Sequence, residues 1–479
     1  MQREKRITRW LALLLGICMA FACLAFAGCE NRSPEGNGSE QETPLPPDGE
    51  QEEQTPTPPV LTKYVQQTEI PTLEITAADP IASKYDYVPA TYAMTSESGA
   101  YDMAAAEGEI RLRGNYTRTL TKKPYRVKFA SKQSPLGMPK AKSWYLLNEA
   151  TDFSLLRNYL GYTYADELLD YSLRARYVHV KVNGEYRGIY LLTDKRGEDK
   201  NRVPVTLTDG VDTGWIVEMD NRAIGGDDPV NTTAYEYCAA EGIVFGQNAF
   251  YCNLPRDGGQ QAFVISEPDP VTPEQFRAIS EHVQTAITSL GGQAFGNYFD
   301  VDSMARYFMV EELWHNTDVG SVYLYRENGV DKVKFGPVWD LDLTCGISKI
   351  TENGAANTYN EWYYGDINAL LKPCWRSSAF RAALKKNWNQ TYAVQTADLL
   401  KGIDETIAFL APRVQQNFVR WPGIESGMVS SDEDGTHLEV PFFMADSYVR
   451  LRTWEKHAAA VKDFLTKRVG WMHTQINAF

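Results

Sequence analysis

Asp340 and Asp342 are two carboxylates separated by one residue, and their type and spacing are the first sign of chemistry in this 479-residue sequence. They lie in the stretch 335–346, which we interpret as a strand that ends in a turn at Gly346. Side chains two residues apart on a strand point to the same face. Two half-buried carboxylates are stable beside a divalent cation, and Mg²⁺ or Mn²⁺ favours oxygen ligands. We therefore expect a metal site, the alternative being a solvated turn.

Asp318 is a third candidate, because it lies in a polar loop between a predicted helix and a predicted hairpin that leads to the pair. Phosphoryl transfer needs a metal, cations that hold phosphates and a carboxylate that orients and deprotonates the acceptor hydroxyl. The cations would come from a basic hairpin predicted at 109–128, which carries Arg111, Arg113, Arg118, Lys122, Lys123, Arg126 and Lys128. A solvated hairpin face is the alternative. The protein-kinase motifs G-x-G-x-x-G, H-R-D and D-F-G are absent from the sequence.

The elements that must position these residues change along the chain from strands to helices. Short apolar runs, which alternate with polar residues at 125–129 and 177–182, predict strands at 110–115, 125–129, 144–147, 177–182, 186–192, 214–220 and 322–325. Apolar residues at helical spacing predict helices at 155–169, 273–290, 304–314, 380–392, 397–420 and 448–479. Residues 221–262 show little pattern and are a possible insertion. The expected fold class is α+β, with a β-rich N-terminal half and a helical C-terminal half.

Six co-linear strings closely resemble the spore coat protein H (CotH) kinase family. They are RLRGNYT (111–117), KKPYRVKF (122–129), SWYLLNEATDFSLLRNYL (143–160), VNGEYRGIYLL (182–192), EELWHNTD (311–318) and GPVWDLD (336–342). The resemblance spans roughly residues 61–479. It implies an atypical protein-kinase-like fold with two lobes. The implied activity is transfer of the ATP γ-phosphate, with Mg²⁺ or Mn²⁺, to serine or threonine of coat or surface proteins.

The resemblance also implies roles for individual residues. Asp318 would be the catalytic carboxylate, and Asp342 or Asp340 would bind the metal, with Asp342 favoured. The implied ATP contacts are Lys128 or its rival Lys123, Arg113 and Asn115 as a cover over the phosphates, Arg157 as a second cation, and Trp339 or Trp144 as a purine platform. Two positions depart from the family pattern, since Asp194 stands where a glutamate is usual and Val319 where a glycine is usual.

The N-terminal segment predicts export and anchoring. Basic residues precede an apolar run at 10–26, and the string AFAGC that ends at Cys29 resembles a lipoprotein box, although Phe26 departs from it. We expect a signal peptide at 1–28 and a lipid on the Cys29 sulfur, the alternative being an uncleaved anchor helix. An acidic, proline-rich tether at 29–60 would then connect the kinase-like domain, 61–479, to the outer side of the cytoplasmic membrane.

Charge and cysteine content narrow the possible partners. The net charge of −14 and the pI of about 5.1 argue against nucleic acid as the main partner. A zinc site is unexpected because no C-x-x-C is present. Cys238 and Cys252 could form a disulfide in an exported protein or remain buried thiols.

Two other functions remain open from the sequence. One is a catalytically inactive kinase-like scaffold that acts as a surface adhesin. The other is AMP transfer on the same fold.

Overall fold

The computed structural model describes residues 61–197, 201–220, 237–238, 243–244, 248–255, 259–349, 358–432 and 436–479. The predicted signal peptide, Cys29 and the tether lie outside the described residues, as does most of the stretch 221–247. The described chain is a mixed α+β structure with a β-rich first half and a helical second half, which confirms the predicted class. None of its helices is both long and apolar enough to cross a membrane.

Seven strands form a closed barrel in the order β1-β2-β3-β4-β5-β7-β6. Their bounds are Thr72–Ala77 (β1), Val88–Thr95 (β2), Met103–Leu112 (β3), Tyr125–Gln133 (β4), Ala141–Leu147 (β5), Ala175–Val182 (β6) and Glu185–Asp194 (β7). Parallel pairing of β1 with β6 closes the barrel. Alternate side chains of each strand fill an apolar interior, such as Tyr125, Val127 and Phe129 of β4. The other side chains of β4, including Arg126 and Lys128, therefore face outward.

The hairpin between β6 and β7 confirms the strongest local prediction. Asn183 and Gly184 both have positive φ, 50° and 80°. This is the type I′ geometry whose twist matches the flanking strands.

A second sheet has seven strands in the order β14-β13-β8-β12-β11-β10-β9. Their bounds are Trp215–Asp220 (β8), Tyr237–Cys238 (β9), Ile243–Val244 (β10), Ala249–Asn253 (β11), Gln260–Glu267 (β12), Ser321–Arg326 (β13) and Lys334–Phe335 (β14). The stretch 221–262, predicted to be an insertion with little pattern, thus contributes strands that extend this sheet beyond β8. Cys252 in β11 is a buried free thiol, which agrees with the alternative of buried thiols and not with the disulfide.

The helices, all but α1 in the second half, pack against one another and against both sheets. Their bounds are Arg157–Ala165 (α1), Pro273–Ser289 (α2), Val301–Trp314 (α3), Tyr364–Ile367 (α4), Ser378–Leu410 (α5), Gln415–Arg420 (α6), Pro422–Glu425 (α7), Asp446–Val449 (α8) and Trp454–Asn477 (α9). Two of the predicted helices, 380–392 and 397–420, are wrong in extent, because α5 runs unbroken for 33 residues. The helix predicted at 155–169 is shorter in the structure, and α9 begins six residues later than predicted, after the N-cap Thr453.

Two ion pairs lie fully buried among these helices. Arg157 at the start of α1 places Nη1 2.5 Å from Asp152 Oδ1, and Arg468 of α9 places Nη2 2.5 Å from Glu312 Oε1 of α3. All four side chains are 0–1% exposed. The first pair ties the segment before α1 to that helix, and the second ties α9 to α3.

Candidate active site

A cleft of about 540 Å³ opens between the outer face of the barrel and the loops of the second half. Six carboxylates line it, and we call four of them the acidic floor: Glu149, Asp318, Asp340 and Asp342; the other two are Glu218 and Asp220. Three arginines form another side, which we call the arginine wall: Arg111, Arg113 and Arg126. The cleft therefore brings together the three aspartates and the basic hairpin that the sequence places far apart.

Asp340 and Asp342 reach the floor from a loop and not from a strand. The strand β14 ends at Phe335, and Asp340 has a left-handed φ of 49°. The expectation that the two carboxylates share one face of an extended segment is therefore wrong. Aspartate tolerates the left-handed region better than most residues, which allows the chain to turn at Asp340 and still present both carboxylates to the cleft.

Asp318 is held just beyond the end of α3. His315 ends the helix in the left-handed region, with φ 53°, and turns the chain toward the cleft. The backbone N–H of Asp318 donates to Asn316 Oδ1 at 2.9 Å, and Asn316 Nδ2 donates to Glu311 Oε2 at 2.8 Å. Thr317 Oγ1 donates to the carbonyl oxygen of Leu343 at 3.1 Å. The last bond ties the Asp318 loop to the loop of Asp340 and Asp342, so the three aspartates are positioned as one unit.

The start of α1 supports the floor from the barrel side. Thr151 Oγ1 donates a hydrogen bond to Asp342 Oδ2. Asn158 Oδ1 accepts from the backbone N–H of Leu341 at 2.9 Å, and its Nδ2 donates to Glu149 Oε1 at 3.1 Å. One amide thus fixes both the aspartate loop and Glu149.

The floor is electrostatically unfavourable without a cation. Burial raises the pKa of Asp340 to about 7; Asp342 adds to that shift, and Arg113 offsets part of it. Burial also raises the pKa of Asp342, and that of Glu149 lies well above its usual value because of burial and the neighbouring Asp152 and Asp342. Like charges held together in this way are stabilised by a cation.

The donor set fits a hard divalent metal. Every charged group of the floor is a carboxylate, and Glu149 Oε2 is buried without a hydrogen-bond partner among the described residues. In the same residues no group of three or more His, Cys, Asp and Glu side chains is already gathered as a metal site. Mg²⁺ in phosphoryl-transfer enzymes commonly takes one or two carboxylates, with phosphates and water completing its shell. The arrangement is therefore compatible with a metal that arrives with a phosphorylated ligand.

The strand register of β3 and β4 explains which basic residues belong to the cleft. Arg111 lies directly opposite Arg126, while Glu109 lies directly opposite Lys128. Lys128 Nζ is 3.2 Å from Glu109 Oε2, and Lys128 does not line the cleft. Arg111 and Arg126 are like charges in register, an unfavourable pairing on its own. Neither they nor Arg113 form an ion pair within the described part of the chain, which suits them to bind an anion.

Trp339 lines the cleft, and two guanidinium groups and the edge of the Tyr145 ring pack against it. The Arg113 and Arg196 Cζ atoms lie 4.9 and 3.9 Å from its ring centroid, and the ring is 5% exposed. Trp144 is 0% exposed in the barrel interior and does not reach the cleft. A purine would therefore have to displace an arginine from Trp339, and Trp144 offers no face at all in this structure.

Of the remaining residues suggested by the sequence, Asn115 lines the cleft, whereas Lys123 and Arg157 do not. Asn115 lines the cleft, and its Oδ1 accepts from Lys84 Nζ at 3.1 Å. Lys123 directs its Nζ to the carbonyl oxygen of Arg118 at 3.0 Å, away from the cleft lining. Arg157, paired with Asp152, is fully buried and does not line the cleft either.

Asp194 has arginine partners instead of a lysine. Its Oδ2 is 2.7 Å from Arg174 Nε, and its Oδ1 is 3.4 Å from Arg202 Nη2. The shorter carboxylate therefore still reaches its cations.

Several charged cleft residues had no individual role assigned from the sequence, among them Arg111, Arg126, Arg196 and Glu149. Arg111 and Arg126 were part of the predicted basic hairpin, and only the register distinguishes Arg126 from Lys128. Glu149 lies within the string SWYLLNEATDFSLLRNYL, but a single glutamate after a strand carries no local signal. Arg196 follows β7 and reaches the cleft by a turn that no periodicity predicts.

The comparisons with known proteins agree with the resemblance of the strings. The family model described as "CotH kinase protein" matches residues 110–472. No curated protein matches the chain.

Proposed function

This chain belongs to the CotH kinase family, and we propose that it is an ATP-dependent phosphotransferase that transfers the γ-phosphate to serine or threonine of surface proteins. The observation that carries the proposal is a cleft with an acidic floor and, beside it, an arginine wall without ion-pair partners in the described chain. Phosphoryl transfer requires positioning and charge stabilisation more than covalent chemistry, and these are what the two sides provide.

Asp318 is the carboxylate we propose as the catalytic base. It is the exposed member of the floor, and its backbone is fixed by Asn316. A carboxylate in that position can orient the acceptor hydroxyl and accept its proton as the new bond to phosphorus forms.

Asp340 and Asp342 are the side chains we propose to hold Mg²⁺ or Mn²⁺. When bound, the metal would neutralise charge on the phosphates. The hydrogen bond from Thr151 to Asp342 Oδ2 leaves the other oxygen of that carboxylate for the cleft.

The arginine wall would hold the nucleotide phosphates. Guanidinium groups bind phosphate oxygens through paired N–H donors, and Arg111 with Arg126 presents two such groups in register. Arg113 and Asn115 belong to the turn after β3, which supports their role as a cover over the phosphates. In this proposal Arg126 takes the place that the sequence suggested for Lys128.

The barrel would correspond to the N-terminal lobe of a kinase-like fold and the helical half to its C-terminal lobe, with the cleft between them. We further propose that the protein acts outside the cytoplasmic membrane, held by a lipid on Cys29 and the acidic tether. That localisation rests on the N-terminal sequence.

The test is incubation of the purified protein with Mg²⁺ or Mn²⁺ and ATP labelled at the γ-phosphate. We expect label on the protein itself or on an added protein substrate, and a loss of roughly 10²- to 10⁴-fold in Asp318→Ala and Asp342→Ala. Asp463→Asn is the matched control. This exposed aspartate of α9 pairs with Lys467 one helical turn away and does not line the cleft.

The same experiment separates the alternatives. If label at the α-phosphate is incorporated, the reaction is AMP transfer and not phosphorylation. Incorporation that is equal in the wild type and both alanine variants would overturn the assignment. ATP binding without any transfer would favour the inactive surface scaffold.

A further inference from the structure

Glu149 is a cleft residue for which the proposed function has no role. Its side chain is 3% exposed and lines the cleft together with Asp342. Oε1 accepts from Asn158 Nδ2 at 3.1 Å, whereas Oε2 is buried and has no hydrogen-bond partner in the described ranges. A buried carboxylate oxygen without a partner is costly, so the structure retains it at a free-energy cost.

The charges around Glu149 increase this cost. The two that act on it most strongly are Asp152 and Asp342, both negative. Lys122 offsets part of the repulsion, but its Nζ donates to the carbonyl oxygen of Ile189 at 2.7 Å and to Asn417 Oδ1 at 3.0 Å. No ion pair to Glu149 within 4.0 Å is formed by the residues that the structure describes.

Asp152 already has its cation, which leaves the other two carboxylates without one. Asp152 is paired with Arg157 in full burial. Glu149 and Asp342 share the same cleft surface, and a hydrogen bond links Asp342 to Thr151, two residues from Glu149. A single divalent cation between them would give each carboxylate its missing partner.

We infer that Glu149 is a further ligand of the divalent cation held at Asp342, through its unpartnered Oε2. The inference rests on the proposed function for the kind of cation, Mg²⁺ or Mn²⁺. Glutamate oxygens suit these ions, and Asn158 fixes the carboxylate by its other oxygen. Because no group of three acidic side chains is preformed among the described residues, Glu149 would join Asp342 as the cation binds.

The experiment measures Mn²⁺ binding to the full chain without nucleotide, by calorimetric titration and by the rise in thermal unfolding temperature. We expect Glu149→Gln to bind Mn²⁺ roughly tenfold or more weakly than the wild type. Without Mn²⁺, Glu149→Gln should be as stable as the wild type or more stable, because it removes one of the repelling charges. A residue with only a packing role would not give this combination.

Glu311→Gln is the matched control. Glu311 is also buried, its charge acts on Asp318 and Asp340, and its pKa is raised to about 8 by burial, but it does not line the cleft. Glu311→Gln should weaken Mn²⁺ binding about twofold at most, because a pKa of about 8 leaves Glu311 little charge to remove at neutral pH and the glutamine oxygen can still accept from Asn316 Nδ2. Equal losses in the two variants, or no loss in Glu149→Gln, would overturn the inference.

A second variant covers the case in which Glu149→Gln does not fold, and the two proposals fail with different results. If Glu149→Gln does not fold, Glu149→Asp keeps the charge and withdraws it by one methylene, and the same tenfold weakening is expected. Failure of the proposed function has a different signature, since Mn²⁺ would then bind with the same dependence on Glu149 while no phosphoryl transfer occurs.

Discussion

Charged side chains are paired among the buried helices but stand beside like charges in much of the cleft. Arg157 with Asp152 at the start of α1, and Arg468 with Glu312 in the helical half, form buried ion pairs at 2.5 Å. On the acidic floor of the cleft, carboxylates stand beside carboxylates, and on its arginine wall Arg111 stands opposite another arginine, Arg126.

The difference separates charges that hold the fold from charges that await a ligand. A buried pair satisfies itself, and loss of one partner leaves an uncompensated charge in the interior. An unpaired cleft charge is already unfavourable, so its removal costs the fold little and costs the function much. Each prediction below tests one side of this contrast.

The largest effect on stability is expected from Arg157→Met. The substitution keeps an apolar side chain of similar length but leaves Asp152 charged and buried, which should lower the free energy of unfolding by about 3–5 kcal/mol. Arg113→Met, a cleft arginine without an ion pair in the described chain, should lower it by about 1 kcal/mol or less. Urea unfolding of the two variants measures the difference. Similar values would remove the distinction between the two regions.

The second prediction concerns a histidine of the helical half that is buried without charge. His457 is 0% exposed, neither ring nitrogen has a hydrogen-bond partner in the described residues, and burial lowers its pKa to about 4. Because the pKa is lower in the folded state than the ordinary 6.5, stability is complete above pH 6.5 and falls as the pH drops toward 4. The loss by pH 5 should be about 2 kcal/mol.

His457→Phe tests this dependence. Phenylalanine does not titrate and suits the contacts of the ring with Phe153 and Tyr448. We expect the free energy of unfolding, measured by urea titration at pH 7 and pH 5, to fall less in the variant by about 2 kcal/mol. His315, also buried with a lowered pKa, keeps a remaining dependence in both proteins. An identical fall in the two proteins would show that His457 is not buried in neutral form.

The contrast also marks what the sequence could predict. The β6–β7 hairpin was predictable because a two-residue turn fixes the register of its strands. β3 and β4 are joined by residues 113–124, so no local spacing determines their register. The sequence therefore suggested Lys128, and not Arg126, as a phosphate contact. Only the register shows that Glu109 neutralises Lys128.

The aspartates of the floor illustrate the other limit. Their identity and their connection with Asp318 could be predicted from residue types and order. The left-handed turn at Asp340 could not, because aspartate occurs in many conformations and no glycine marks the turn. The resemblance suggested Trp144 for the cleft, and the unbroken apolar run 144–147 gives no sign of which side chains face the barrel interior.

The third prediction compares two basic residues of one strand. Arg126→Gln should raise the KM for ATP roughly tenfold, since it removes a charged hydrogen-bond donor from the arginine wall. Lys128→Gln removes the same charge two residues away, where Glu109 already neutralises it, and should change the KM less than about twofold. Steady-state kinetics of the two variants provide the measurement. A larger effect at Lys128 would place the phosphates farther along the same outer face of the hairpin, beside Glu109.

The smallest effect is expected from Asp340→Asn in the absence of divalent cations. Asparagine has the same shape as aspartate and also tolerates the left-handed φ of 49°, so the backbone has no reason to change. The substitution removes one of the like charges that face Asp342 and Asp318. We therefore expect the free energy of unfolding to rise by about 1 kcal/mol at pH 8 while phosphoryl transfer is lost. Addition of Mn²⁺ should stabilise the wild type and reverse the order of the two proteins, because only the wild type keeps both carboxylates of the pair. If Asp340→Asn were less stable than the wild type without the cation, the floor would be a set of structural charges like those of the helical half.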